Sequence, residues 1–373
     1  MQQRHHQLGH ATPGSAREVL SFHYGEAGSA RKAYVQASLH ADELPGMLVA
    51  HHLRLHLQAL ESLGALRGSE IVVVPVANPI GLAQSLLRAP QGRFDLHSGE
   101  NFNRHYPALF APVLGRVEGA LGADAAANAA LVRDALRAAV ADSPAATELA
   151  ALRKTLLGLA CDAEVVLDLH CDGESVLHLY TGTPLWGKVE PLARLMGAQA
   201  TLLARESGDD PFDEACSQTW WQLAEHFGTR AAVPMGCVAV TVELRGEAEV
   251  EQAQAERDAQ AIVAYLQHRG LIAGGPVVLP PLLQPATPLA GSESVKSPVA
   301  GVLAFRRRPG DQVAVGDLLA EVVDPISGSV TPIMSRTDGL LYAREPRRFV
   351  VAGGGVCKVA GRQAFRSGKL LSD

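Results

Sequence analysis

Apolar residues along this chain follow two spacings that predict alternating strands and helices. Short runs rich in β-branched and aliphatic residues predict strands at residues 32–39, 71–77, 164–170, 176–180 and 237–244. Helical spacing or high alanine content predicts helices at residues 46–60, 119–141, 145–159 and 249–267. The run at 71–77 is almost wholly apolar, which is typical of strands covered on both faces, and the run at 164–170 predicts a second buried strand with polar residues at its carboxyl end. This order predicts an α/β domain with a mainly parallel mixed sheet flanked by helices.

A change in composition near residue 275 predicts two domains. Residues 1–275 would form the α/β domain, and the Pro- and Gly-rich segment 274–288 reads as a linker. Short apolar runs and glycine turns then predict a C-terminal all-β module, so residues 276–373 comprise the linker and this module. Residues 297–320 resemble half of a biotinyl/lipoyl-type barrel-sandwich. The lysine hairpin that would carry a prosthetic group is missing from it.

Length, composition and charge narrow the class of protein. The chain has 373 residues, and single cores stop growing at roughly 250–300 residues. With 47% hydrophobic residues it can bury a large core, and its net charge of −6 argues against nucleic-acid or anionic-membrane partners. The first 16 residues lack an apolar signal region, and no run approaches the ~18 apolar residues of a membrane span. We therefore expect a cytoplasmic protein with a small-molecule substrate.

Polar side chains follow two of the predicted strands and suggest a metal site. His40 and Glu43 come directly after the first strand, and the strand at 164–170 ends in Asp168 and His170. A His and a Glu three residues apart more often belong to a solvated turn, and an Asp and a His two apart can be a buried structural pair. Both pairs, however, fall at the carboxyl ends of strands, where α/β sheets bind ligands. We therefore predict one zinc ion held by His40, Glu43 and His170, with a fourth position left for water.

A base and a substrate clamp can be proposed from the same pattern. Glu243 is a lone carboxylate in an apolar strand, where burial would raise its pKa and suit it to proton transfer. Glu247 is the alternative base. The polar segment 81–107 carries Arg93, Asn103 and Arg104. An arginine fork can bind a carboxylate or stabilise an oxyanion, although a single loop arginine is more often solvated.

These motifs, in this order, resemble a known family. They are His40-x-x-Glu43, Asn78-Pro79, Gly92-Arg93-Phe94, Phe102-Asn103-Arg104, Asp168-Leu169-His170 and Val242-Glu243. Over residues 32–267 the chain is similar to the zinc carboxypeptidase-like superfamily, specifically its succinylglutamate desuccinylase/aspartoacylase branch. The resemblance implies a trailing β module that shields the mouth of the site.

The resemblance also assigns roles to single residues. It implies that His40, Glu43 and His170 hold zinc and that the carboxylate of Glu243 activates water. The other implied roles concern the substrate, with Asn103 and Arg104 binding its carboxylate and Arg93 clamping the oxyanion or a carboxylate. The segment between Arg93 and Asn103 is longer than is typical of aspartoacylase, which leaves Arg88 as an alternative clamp.

The sequence thus predicts a zinc-dependent amidohydrolase that removes the acyl group from an N-acyl amino acid or a similar small carboxylated amide. One alternative is a metallocarboxypeptidase that acts on small peptides. Another is a non-catalytic binding or carrier protein with a modified lysine, but Lys296, Lys358 and Lys369 lack the expected hairpin context. A homo-oligomer is compatible with the sequence.

Overall fold

The predicted apolar runs become strands of one large sheet in a computed structural model, which describes residues 1–9 and 12–371. The strands of the first 288 residues are β1 (Gln2–Gln7), β2 (Glu18–Gly25), β3 (Lys32–Ala37), β4 (Glu70–Val74), β5 (Ser85–Leu86), β6 (Ala89–Pro90), β7 (Val165–Asp172), β8 (Glu174–Ser175), β9 (His178–Gly182), β10 (Ala200–Ala204), β11 (Val238–Gly246) and β12 (Thr287–Pro288). The later strands are β13 (Ser292–Lys296), β14 (Gly301–Phe305), β15 (Gln312–Val313), β16 (Leu318–Val323), β17 (Val330–Met334), β18 (Gly339–Arg344), β19 (Phe349–Val350) and β20 (Gly355–Gly361).

Helices connect most strands of the large sheet. The α-helices are α1 (Pro45–Ser62), α2 (Pro79–Leu82), α3 (Phe110–Val117), α4 (Ala125–Asp142), α5 (Glu148–Ala160), α6 (Trp186–Met196), α7 (Phe212–Phe227) and α8 (Gln252–His268). Short 3-10 helices lie at Thr183–Leu185, Gly228–Arg230 and Leu289–Gly291. Among the described residues, no helix combines the length and hydrophobicity that crossing a bilayer requires.

The order of the large sheet puts the predicted site strands next to one another. Its nine strands run β1-β2-β4-β3-β7-β11-β9-β10-β12. Strands β4, β3, β7 and β11 are parallel neighbours, whereas β2 and β9 join them in antiparallel fashion. The carboxyl ends of β3, β7 and β11 therefore lie side by side at one edge of the sheet.

Alternate residues of each central strand enter two separate cores, one on each face of the sheet. In β4, Val72 and Val74 belong to one core, whereas Ile71 and Val73 belong to the other. Helices α3, α4, α5 and α7 cover the first face, and α1, α6 and α8 cover the second. Because both faces are buried, these strands need apolar residues at nearly every position, which explains the continuous runs in the sequence.

The C-terminal residues form two further sheets that pack against the large one. Their orders are β13-β20-β18-β15 and β17-β16-β14-β19, and both sheets contribute to one apolar core. Strand β8 pairs with β18, and β12 extends the large sheet beside β10. A second apolar cluster, which includes Leu202, Leu340 and Tyr342, joins the two regions. The division into residues 1–275 and 276–373 stays a prediction.

The mixed sheet with flanking helices and the strand-rich C-terminal region are confirmed. Among the elements that the prediction missed are the β1-β2 hairpin, α3, α6, β10 and α7. Helix α7 was missed although Phe212, Cys216, Trp220, Leu223 and Phe227 recur along it at helical spacing and enter one core. Its buried residues include Asp213, Glu214, Ser217 and Thr219.

Leu340 tests whether the cluster between the two regions stabilises the chain. Leu340→Ala removes a side chain that is 7% exposed in this cluster. We expect it to lower the free energy of unfolding by about 2–5 kcal/mol, measured by urea denaturation. Leu131→Ala, at a position 39% exposed, is the matched control, with an expected change within about 0.5 kcal/mol. A Leu340→Ala effect as small as that of the control would contradict this role.

Candidate active site

The carboxyl ends of three neighbouring strands bring the predicted ligands and base together. His40 follows β3 in the turn before α1, and His170 lies near the end of β7. Glu243 lies on β11 directly opposite His170 in the strand register. Residues that are far apart in sequence therefore meet at one edge of the sheet because their strands are parallel neighbours.

Glu43 lies between the two histidines. Its Oε1 is 2.8 Å from His40 Nδ1, and its Oε2 is 2.8 Å from His170 Nδ1. The backbone N–H of Cys171 also donates to Oε2, at 3.1 Å. One donor atom from each of these three side chains lies within 4.8 Å of the others, and among the described residues this is the one cluster with metal-binding geometry.

The far nitrogen of each histidine ring faces an oxygen. His40 Nε2 lies 2.9 Å from Asn101 Oδ1, and His170 Nε2 lies 2.9 Å from Asp168 Oδ2. Asp168 Oδ1 accepts a hydrogen bond of 2.9 Å from Gln36 Nε2. Such partners fix ring orientation and leave Nδ1 as the ligand atom. The donor set therefore fits a metal ion.

Burial and charge set the protonation of these groups. Burial opposes ionisation of Glu43, but His40 and His170 outweigh it and hold the Glu43 pKa well below its usual value. Burial and Arg93 lower the pKa of His40, which favours a neutral imidazole. Burial would lower the pKa of His170 too, yet Asp168 and Glu43 raise it well above its usual value. A bound cation would take the place of the proton on His170.

Arg93 reaches the ligand cluster because its loop crosses the turn after β3 closely. Its Nη1 lies 3.3 Å from His40 Nδ1 and 3.6 Å from Glu43 Oε1. The carbonyl of Gly92 accepts a hydrogen bond from the N–H of Ala41 at 3.0 Å. A Cβ on Gly92 would lie 2.1 Å from the backbone nitrogen of Asp42, so only glycine permits this approach.

Arg88, the alternative clamp, lies in a different place. It is exposed in the turn between β5 and β6, with φ of +70°. Arg93 lines the central cavity, whereas Arg88 is not among the described residues that do so.

Asn103 and Arg104 lie deeper in the same cavity, at 5% and 6% exposure. Asn103 Oδ1 accepts a hydrogen bond from the N–H of Phe212 at 2.9 Å, which ties it to the start of α7. Arg104 Nη1 donates to the carbonyl of Asn103 at 2.7 Å. The predicted clamp residues therefore share the cavity with the histidines.

The two candidate bases differ in their surroundings. Burial, with the negative charge of Glu43, raises the pKa of Glu243 to about 8. Glu243 Oε2 is buried and has no hydrogen-bond partner among the described residues. Glu247 is exposed near the mouth of the cavity, where partial burial and Asp42 raise its pKa. Glu243 is thus a poorly solvated carboxyl group beside the ligand cluster.

The C-terminal region completes the cavity, whose volume is about 540 Å³. Lys296, Arg344 and Lys358 belong to its lining. Lys358 Nζ forms an ion pair of 2.6 Å with Asp172, two residues beyond His170. Lys358 was considered in the sequence only as a modified lysine, and no local pattern indicates that β20 passes the end of β7.

Asn101 was also missed, and its role can be tested by metal affinity. Asn101→Ala removes the oxygen that faces His40 Nε2, so the ring loses its orientation. We expect the affinity for a divalent metal ion to fall roughly 10- to 100-fold, measured by competition with a chromogenic chelator. Asn101→Asp keeps an acceptor in place and should retain most of the affinity. Equal affinity in wild type and Asn101→Ala would contradict this role.

A known protein family covers the region that contains this arrangement. Residues 29–269 match the model of the succinylglutamate desuccinylase/aspartoacylase catalytic domain. Among curated proteins, none matches the sequence significantly.

Similar solved structures extend over nearly the whole chain. A putative succinylglutamate desuccinylase/aspartoacylase family protein from Shewanella amazonensis is 25% identical, with a TM-score of 0.84 over 96% of this chain and 98% of that one. A putative succinylglutamate desuccinylase/aspartoacylase from Shewanella frigidimarina is 26% identical, with a TM-score of 0.83 over 96% of each chain. The ectoine utilization protein EutE (DoeB) of Ruegeria pomeroyi shares the fold at 18% identity, with a TM-score of 0.67 over 96% of this chain and 95% of that one. The chain belongs to the succinylglutamate desuccinylase/aspartoacylase family, a family of deacylases.

Proposed function

We propose that this chain is a zinc-dependent hydrolase that cleaves the amide bond of a small N-acyl amino acid or a similar carboxylated amide. The observation that carries the proposal is the convergence of His40 Nδ1, Glu43 and His170 Nδ1 beside Glu243, whose buried Oε2 has no hydrogen-bond partner among the described residues. Family membership supports the deacylase chemistry.

The donor set favours zinc. Two imidazole nitrogens and one carboxylate oxygen are typical ligands of catalytic zinc, and three protein ligands leave a position for water or substrate. When bound, such an ion acts as a Lewis acid that polarises a carbonyl and lowers the pKa of water. We propose one ion per chain, held by His40, Glu43 and His170.

Glu243 is the proposed base and acid. Its carboxylate takes the proton of the attacking water and passes it to the nitrogen of the leaving amine, so that one group serves both steps. Its position opposite His170 places it next to the ligand cluster, and its buried Oε2 has no competing partner within the described part of the chain. The positive charge of a bound metal ion would lower the pKa of Glu243 and favour the ionised carboxylate, which is the form that can take the proton from water.

Arginine and asparagine side chains would bind the substrate. We assign Arg93 to the oxyanion that develops on the carbonyl oxygen, since its guanidinium lies beside His40 and Glu43. We assign Asn103 and Arg104 to the substrate carboxylate, because both are buried in the cavity and an arginine fork suits a carboxylate.

The size of the cavity supports a small substrate. About 540 Å³ falls within the range of small-ligand pockets, and residues of the C-terminal region form part of the wall. We propose that this wall limits access by longer peptides. A cytoplasmic location and a homo-oligomeric state stay predictions from the sequence.

Metal content and a substrate panel test the proposal together. The purified protein should bind one zinc per chain by atomic emission, lose activity with a chelator and regain it with zinc. The zinc-loaded enzyme should release amino acids from N-acetyl or N-succinyl derivatives faster than it cleaves short peptides. A chain without a divalent ion would contradict the metal site, and a preference for peptides would favour the carboxypeptidase alternative.

Glu243→Gln separates proton transfer from metal binding. Because the residue is outside the ligand set, the variant should keep its zinc, while kcat falls roughly 10²- to 10⁴-fold. Glu247→Gln is the matched comparison and should retain most of the activity. A large loss in Glu247→Gln together with a small loss in Glu243→Gln would move the base to Glu247.

A further inference from the structure

The strand that carries Glu243 contains one extra residue directly after it. In the pairing of β11 with β7, Glu243 lies opposite His170, and Gly246 lies opposite Asp172. Three steps along β11 therefore match two steps along β7, which is the geometry of a β-bulge. The pairing of β11 with β9 also ends at Glu243. Glu243 is thus the last regularly paired residue before the bulge.

The bulge turns Arg245 away from the face of the sheet that carries Glu243. Glu243 lines the cavity, and strict alternation along the strand would point Arg245 to the same face. The Arg245 guanidinium instead contacts Asp258 on α8, the helix that packs on the other face against Val240 and Val242. The side chains before and after the extra residue therefore lie on opposite faces of the sheet.

Arg245 has a backbone conformation that is uncommon for its residue type. Its φ is +69°, in the left-handed region that favours glycine. Such a conformation is unfavourable for a residue with a long side chain, and it persists only where surrounding contacts enforce it. The contacts of its own side chain provide that restraint.

A bidentate ion pair holds Arg245 against α8. Its Nη1 and Nη2 donate to Asp258 Oδ2 and Oδ1, at 2.8 and 2.7 Å. Asp258 is 4% exposed, and its Oδ1 also accepts a hydrogen bond of 3.1 Å from Gln254 Nε2. Two parallel N–H···O bonds between an arginine and a carboxylate fix orientation as well as distance. The pair therefore anchors the bulge to the helix behind the sheet.

Glu243 depends on the backbone of β11 for its position. Its buried Oε2 has no hydrogen-bond partner among the described residues, so no contact of that oxygen orients the carboxyl group. Beyond the bulge, the N–H of Glu247 donates to the carbonyls of Asp172 and Gly173, at 3.0 Å each. Arg245 lies between this anchored segment and Glu243. The direction of the Glu243 side chain is therefore sensitive to how the bulge is held.

We propose that the ion pair of Arg245 and Asp258 positions the Glu243 carboxyl group against the ligand cluster. Arg245 is a positioning residue, because it acts through the backbone of the bulge and is not among the described residues that line the cavity. Bulges beside active sites re-aim side chains in this way. This inference rests on the proposed function, in which Glu243 is the base, and adds to it a pair of residues on the far face of the sheet.

Arg245→Gln removes the bidentate contact and leaves the wall of the cavity unchanged. With the fastest N-acyl amino acid of the panel, we expect kcat to fall roughly 10- to 100-fold, because a small misplacement of a catalytic group is costly. KM and zinc content should stay close to the wild-type values, since Arg93, Asn103 and Arg104 belong to another segment. Arg245→Lys keeps the charge but cannot form the bidentate contact, so it should recover only part of kcat.

Two comparisons separate positioning from a general loss of ion pairs. Arg17→Gln breaks an ion pair of 2.7 Å with Glu148, neither of which is among the described residues lining the cavity, so kcat should stay at the wild-type value. Asp258→Asn should lower kcat as Arg245→Gln does. The double variant should lose no more than the larger single loss, because the two residues act as one unit. Full kcat in both single variants, or losses that add, would overturn the inference.

Crystal structures of the wild type and Arg245→Gln distinguish this inference from the proposed function. If the wild type hydrolyses no N-acyl amino acid, but the Glu243 carboxyl moves away from His170 in the variant, the proposed function fails and the positioning role stands. If the wild type is active and the variant keeps both kcat and the position of Glu243, the function stands and the positioning role is wrong. If Arg245→Gln does not fold, Asp258→Asn and Arg245→Lys provide the same comparison.

Discussion

The arrangement of the site depends on one carboxylate between two imidazoles. Glu43 is 9% exposed, and an ionised group at that depth needs partners for both oxygens. His40 Nδ1 and His170 Nδ1 provide them, at 2.8 Å each. His40 follows β3, whereas His170 lies near the end of β7. The two contacts of Glu43 therefore also hold the turn after β3 against the end of β7. On the far side of each ring, Asn101 Oδ1 lies 2.9 Å from His40 Nε2 and Asp168 Oδ2 lies 2.9 Å from His170 Nε2.

The position of the loop before α3 depends on the turn that carries His40 and Glu43. It carries Gly92, which lies against the His40–Glu43 turn, and Asn101, which faces His40. Arg153 on α5 secures it from outside, with hydrogen bonds to the carbonyl of Asn101 at 3.0 Å and to Glu100 at 2.8 Å. A long irregular segment can therefore present Arg93 and Arg104 in defined positions, as functional loops on rigid scaffolds do.

Charge is distributed unevenly within the cavity. Arg93 lies near the ligand cluster, Arg104 lies beside Asn103, and the carboxyl groups of Asp213 and Glu214 lie at the start of α7. The residues proposed to perform hydrolysis lie at the strand ends, whereas the remaining wall of the cavity comes from a helix start and from strands of the C-terminal region. Substrate choice can therefore change without altering the residues that would perform hydrolysis.

The sequence alone determined the central strands and placed polar residues at their ends. His40, Glu43, His170 and Glu243 could be selected because each interrupts or follows an apolar run, and a parallel sheet gathers such ends at one edge. Asn101 and Lys358 could not be selected, since polar residues in a loop or a later strand carry no local mark of their partners. Their roles depend on contacts between segments distant in the chain. Only tertiary packing decides which of those segments meet.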